Sequence, residues 1–209
     1  HAVMSDATYK EASWDWVQST SKATGKWGAI TEWDVSKVAD FSYSFSVNRD
    51  QNGGSFRAYG NSEATKWGAT RVDLSKWNTV ALTSLQGIFY GASVMNADVS
   101  KWDVQGIKNM ADAFRDAGRF LGTGLSTWSP RATLTTLANT FNGAANVVGV
   151  GKTTTDDLSS WITDGVTTME GTFYGASAIN VDVGAWIVTK VTTLASTFRA
   201  AAQFTGTGE

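Results

Sequence analysis

Few side chains in this sequence have the types and spacing that chemistry demands. The single histidine is His1, at the terminus. A Ser-His-Asp triad or a histidine proton shuttle needs an imidazole set inside the fold, and a His-rich zinc site needs several. Cysteine is absent, which excludes disulfides and thiolate metal sites and leaves the redox compartment unread. Carboxylates are present, but no local context singles out a pair for acid–base work. We therefore read the chain as not an enzyme, with no cofactor and no metal.

Three features imitate sites. GVGKTTT at 149–155 looks like a phosphate loop, whose backbone amides cradle phosphate ahead of a Lys and a Ser or Thr. The motif needs its first glycine at position 146, which is Asn146, so the segment reads as a polar surface loop. Asp73, Asp98, Asp157 and Asp182 each precede an apolar position, and stacked they would offer oxygens to Ca²⁺. Ala29 and Gly124 interrupt that column, and each aspartate reads better as the acceptor for N–H groups of its own turn. Threonine runs such as TLTTLANT resemble flat ice-binding faces, yet they fall on solvent-side positions between apolar columns. What remains for recognition is a set of aromatics outside those columns: Tyr43, Phe56, Tyr59, Tyr90 and Tyr174, with Arg49 and Arg57 beside two of them. Aromatic and Arg residues are the usual interface anchors.

The elements that position these residues follow from a repeat. FYGASVMNADVSKW (89–102) and FYGASAINVDVGAW (173–186) are near copies. Aligned on Trp33, Trp77, Trp102, Trp128, Trp161 and Trp186, each unit has an apolar residue three positions earlier and a phenylalanine further on: Phe45, Phe89, Phe114, Phe141, Phe173 and Phe198. The tryptophans are 44, 25, 26, 33 and 25 residues apart, so the unit is 25 residues, with insertions near 46–66 and 142–157. A period of this length is the mark of stacked units that cannot bury an apolar face alone. Apolar residues at i, i+3 and i+7 in SKVADFSYSF and VTTMEGTF predict a short helix, and the alternation in INVDVGAW predicts a strand. The expected fold is thus α/β: a leucine-rich-repeat-like solenoid of about six strand-turn-helix repeats over 30–209. Residues 1–29 form a leader and an N-terminal capping helix with Ser5 as N-cap, and the last repeat is incomplete.

Composition is globular, with 42% hydrophobic residues, only 17% charged and a net charge of −2, so no nucleic-acid or anionic-membrane partner is expected. No apolar run is long enough to span a bilayer. A start at His1 rather than Met fits a processed N-terminus, hence export or organelle import.

MNADVSKWDVQGIKNMADAF and ITEWDVSKVADFSYSF carry a family resemblance. Over residues 14–208 the chain resembles the repeats of BspA-like bacterial surface proteins and mycoplasma-type lipoproteins. Its leader, WVQSTSKATGKWGAITEWDVSKV, is similar to that of algal and protist members. The resemblance implies adhesion, surface display or protein assembly, and it carries no catalytic residues. Asn78 and Ser129 replace the aspartate that follows tryptophan in the family pattern, and Ile162 and Ile187 make that position apolar. The expected function is a non-enzymatic scaffold that docks other proteins through its insertions and an open C-terminal end. It would be an accessory subunit of a larger assembly, such as an algal photosystem, or alternatively a cell-surface adhesin or carbohydrate-binding module.

Overall fold

The computed structural model describes residues 2–47, 49, 72–147 and 158–205. Two helices open the chain, α1 (Asp6–Gln18) and α2 (Thr20–Trp27). The Ser5 hydroxyl accepts the Thr8 N–H at 3.2 Å and caps α1. Ser19 separates the helices, and Gly28, at φ +79°, ends α2. Helix α1 buries Tyr9, Ala12, Ser13 and Val17. The Tyr9 ring stacks on Phe41 at 4.6 Å and meets Trp33 and Trp77 edge-on at 6.5 and 5.9 Å, which seats the helix over the first repeat.

Past α2 the described residues contain no further α-helix and no β-strand, only short 3₁₀ turns at Ile30–Glu32 and Leu125–Thr127 and isolated parallel bridges. This overturns the α/β leucine-rich-repeat-like solenoid of strand-turn-helix repeats. Each unit is instead a coil built of consecutive turns. The segments expected to be helices show why. N–H groups of Met110, Asp112, Phe114 and Asp116 reach the carbonyls of Thr136, Ala138, Thr140 and Asn142 in the next coil, at 3.3, 2.9, 2.9 and 2.7 Å. Between them, Ala113, Arg115 and Ala117 donate back to Met110, Asp112 and Phe114, each at 3.1 Å. Amides therefore alternate between the neighbouring coil and their own turn.

Such alternation needs left-handed backbone at every fourth residue. Gly87 and Gly91, Asp112 and Asp116, Asn139 and Gly143, and Gly171 and Gly175 supply it, with φ between +53° and +68°. Gly, Asn and Asp are the residues that tolerate this region, and an α-helix cannot pass through it. The expected strands fail for a different reason. Where strands were expected, only a single-residue bridge, Asp73 to Asp98, joins coils among the described residues, while the series Asp40, Ser84, Asn109, Thr136, Thr168, Thr193 bridges the segments expected to be helices. A bridge one residue wide is too short for a strand. At INVDVGAW a turn intervenes, with the Asp182 carboxylate accepting the Gly184 N–H at 2.7 Å.

Two aromatic files run through the stack. Consecutive tryptophan rings from Trp33 to Trp186 lie 6.1–6.3 Å apart and within 19° of parallel. Consecutive phenylalanines from Phe45 to Phe198 lie 5.5–5.8 Å apart. Each fully buried ring contributes roughly 1.5–3 kcal/mol of transfer free energy. Each indole also reaches back. Nε1–H of Trp77, Trp102, Trp128, Trp161 and Trp186 donates to the carbonyl of Ile30, Leu74, Val99, Leu125 and Leu158 in the preceding coil, at 2.8–3.4 Å.

Candidate interaction surface

The interior of the stack is closed to ligands. Besides the rings, buried hydroxyls tie the coils together. Thr140 donates to the Met110 and Leu137 carbonyls, Thr172 to those of Leu137 and Met169, and Thr197 to those of Met169 and Leu194, all at 2.8–3.0 Å. Among the described residues, the surfaces open to a partner are therefore the flanks and the ends.

On the flank, the residues after Phe89, Phe114, Phe141, Phe173 and Phe198 are partly or largely exposed, whereas Ser46 after Phe45 is buried. Here Tyr90 and Tyr174 meet arginines of the following coils. The Arg115 guanidinium stands 5.0 Å from the centre of the Tyr90 ring, and that of Arg199 stands 5.7 Å from Tyr174. Arg115 also pairs with Asp112 at 3.1 Å and Asp116 at 3.7 Å. Burial pushes the Asp116 carboxyl up from its ordinary value, against the pull of Arg115. Both tyrosines are residues that sequence reasoning singled out. Arg115 and Arg199 were missed, although an Arg follows Phe in Phe114-Arg115 and Phe198-Arg199, one repeat after each Phe-Tyr.

Tyr43 is half-buried at φ +57°, with its ring lying directly over Gly87. A Cβ at Gly87 would stand 2.5 Å from that ring, so the glycine makes room for it. Arg49 is fully buried. Its guanidinium donates to Ser13 Oγ at 2.6 Å, to the Ser44 carbonyl at 2.8 Å and to the Lys10 carbonyl, which clamps α1 onto the first coil. Phe56, Arg57 and Tyr59 lie outside the described residues, as do Asp157 and GVGKTTT.

The remaining aspartates of the candidate column serve their own turns. Asp73 accepts the Ser75 N–H at 2.8 Å and Asp98 accepts the Ser100 N–H at 2.9 Å, as Asp182 does with Gly184. Hydrogen bonds from the Ser75 hydroxyl and amide hold Asp73 below the usual carboxylate range. Among the described residues no cluster of His, Asp or Glu is suited to a metal, and no helix is long and apolar enough to cross a membrane.

The ends of the stack differ most. At the first coil, Phe41 and Phe45 are wholly buried. In the last coil, Leu194 is 51% exposed, Phe198 39%, and Ile187 and Val188 close to half. Their column equivalents Met110 and Phe114 are fully buried. An exposed contiguous apolar patch of this kind marks an interaction site.

Comparison with known proteins bears on the same coils. No curated protein and no solved structure is a significant match. A family described as "Mycoplasma protein of unknown function, DUF285" matches three times, over residues 20–128, 56–149 and 132–208. These matches run from the start of α2 through the last described coil, and the chain belongs to the DUF285 family of repeats.

Proposed function

We propose that the protein is a non-enzymatic docking module that joins a larger assembly by capping or being capped at its C-terminal coil. The version we favour is an accessory subunit of a membrane complex, for example an algal photosystem, in keeping with the leader's similarity to algal and protist members of the family. One observation carries the docking reading. Side chains that are fully buried in every inner coil, in the Leu194 and Phe198 columns, are open to solvent in the last one. The off-column tyrosines lend less to a carbohydrate platform, because Arg115 and Arg199 already cover one face of Tyr90 and Tyr174.

The test is co-migration of the full chain with large complexes from the cells that make it. Wild type should travel with a complex, while the double variant Leu194→Asp, Phe198→Asp should run alone at its own mass with its circular dichroism unchanged. Equal co-migration of variant and wild type would remove the last coil from the docking surface.

A further inference from the structure

Two arginines occupy the same position of the repeat and have different company. Arg115 follows Phe114 and stands 5.0 Å from the centre of the Tyr90 ring in the coil before. Arg199 follows Phe198 and stands 5.7 Å from Tyr174 in the same way. The backbone around them is the same. The residues two before and two after each phenylalanine are left-handed, Asp112 and Asp116 at φ +57° and +54°, Ser196 and Ala200 at +56° and +58°. The side chains differ. Asp112 Oδ1 lies 3.1 Å from Arg115 Nη1 and Asp116 Oδ2 lies 3.7 Å from its Nε, so carboxylates flank two edges of that guanidinium. Ser196 and Ala200 carry no charge, and Arg199, on an exposed part of the flank, pairs with no carboxylate among the described residues. Each pair belongs to the arginine's own coil, so the difference holds whatever adjoins the last one. Asp tolerates left-handed backbone, whereas Ser and Ala are strained in it. Local stability thus favours Asp at 196 and 200, and a strained pair beside a cation without a carboxylate points to a function.

We propose that Arg199, set by the Tyr174 ring, receives carboxylates from an acidic segment of a partner polypeptide, in the places that Asp112 and Asp116 fill on Arg115. The inference rests on the docking reading above and names the chemistry of the partner. The ring orients the guanidinium before the partner arrives, so less side-chain freedom is lost on binding. A planar guanidinium then takes a carboxylate on either edge through its fixed N–H donors. Nucleic acid or an anionic membrane is a poorer occupant, because the chain's net charge of −2 provides no field to attract a long polyanion. The Arg115 site is closed to an acidic segment, since its own two carboxylates already neutralise it.

The probe is a hexaglutamate peptide, titrated into the full chain and followed by NMR at the arginine Nε–H signals. The Arg199 signal should shift saturably while the Arg115 signal stays in place. A glutamine peptide of the same length should move neither. The exchange variant Asp112→Ser, Asp116→Ala, Ser196→Asp, Ala200→Asp keeps the net charge and passes the carboxylates from one arginine to the other. In it the shift should move to Arg115, with affinity at Arg199 weakened about fivefold. Equal shifts at the two arginines, no shift at either, or a shift that stays on Arg199 in the exchange variant would overturn the inference. So would an equal shift with inorganic phosphate at the same ionic strength, which would make Arg199 a sink for any small anion. Should the exchange variant not fold, the contrast between the two arginines in the wild type decides alone. Failure of the docking reading itself is read separately, from co-migration of the double variant Leu194→Asp, Phe198→Asp.

Discussion

The first and last coils are built on one plan and meet opposite fates. At the first, Phe41 is sealed under Tyr9 and α1, and a buried arginine occupies an axial carbonyl. At the last, Phe198 and Leu194 are exposed beside amides that donate to no acceptor among the described residues. The difference teaches that a repeat of this kind creates the same demand at both ends, for apolar cover and for hydrogen-bond partners. A short helix with a fitted arginine meets that demand at one end only. The end coils also share a weakness. Left-handed positions held by Gly, Asn or Asp in the inner coils are held by Tyr43 in the first and by Ser196 and Ala200 in the last, at φ +56° to +58°.

The largest predicted effect comes from breaking the sealed end. Tyr9→Ala deletes a fully buried ring in contact with Phe41, Trp33 and Trp77 and should lower stability by about 3–5 kcal/mol in urea unfolding. It should also raise binding of an apolar dye, since both ends would then be open. A change within experimental error would show that α1 is not a seal. Next, Phe114→Ala should cost about 3–5 kcal/mol, whereas Phe198→Ala, in the same column but part-exposed, should cost less than about 2 kcal/mol. Equal losses would erase the distinction between inner and outer coils.

A smaller gain is expected at the open end. Ser196→Gly or Ala200→Gly relieves a left-handed residue with a Cβ and should stabilise the last coil by about 1 kcal/mol, seen as slower amide exchange there. Asp112→Gly in an inner coil should do less, because Asp tolerates that conformation.

The smallest effect concerns pH and separates the two halves. Hydrogen bonds from the Ser36 hydroxyl and amide hold Asp34, which follows Trp33, below the usual carboxylate range. A depressed folded pKa contributes stability above the unfolded carboxylate value, near pH 4, and that stability is lost as pH falls through the folded value. Asp34→Asn should flatten the acid limb of a pH–stability curve. Substitution of Ile187, which follows Trp186 at the corresponding position, should leave that limb unchanged.

The aromatic files were legible in the sequence because a 25-residue recurrence of Trp and Phe survives whatever backbone carries it. The backbone was not. Apolar residues at i, i+3 and i+7 suit an α-helix, and they suit equally a run of turns whose alternate amides leave the coil. The signal that discriminates was present in Gly87 and Gly91, Asn139 and Gly143, Gly171 and Gly175. These are left-handed formers four residues apart, the first inside the segment read as helical, as Gly171 is in VTTMEGTF, and the second two residues past its phenylalanine. On the flank, Tyr90 and Tyr174 stood out as aromatics off the columns. Their arginines did not, since each lies a whole repeat away and meets its ring only when coils stack. The amides of Leu194, Ser196, Phe198 and Ala200, which donate to no acceptor among the described residues, have no signature at all, being main chain.

From Trp77 to Trp186, the indole N–H of each tryptophan in the file donates to the coil before it. That direction suits the indole bonds to N-to-C assembly, whereas main-chain amides such as those of Phe89, Phe114 and Phe141 find their acceptors only in the coil that follows. A chain leaving the ribosome N-terminus first lays down its seed, α1 on Phe41, and every later tryptophan then emerges with its acceptor already in place.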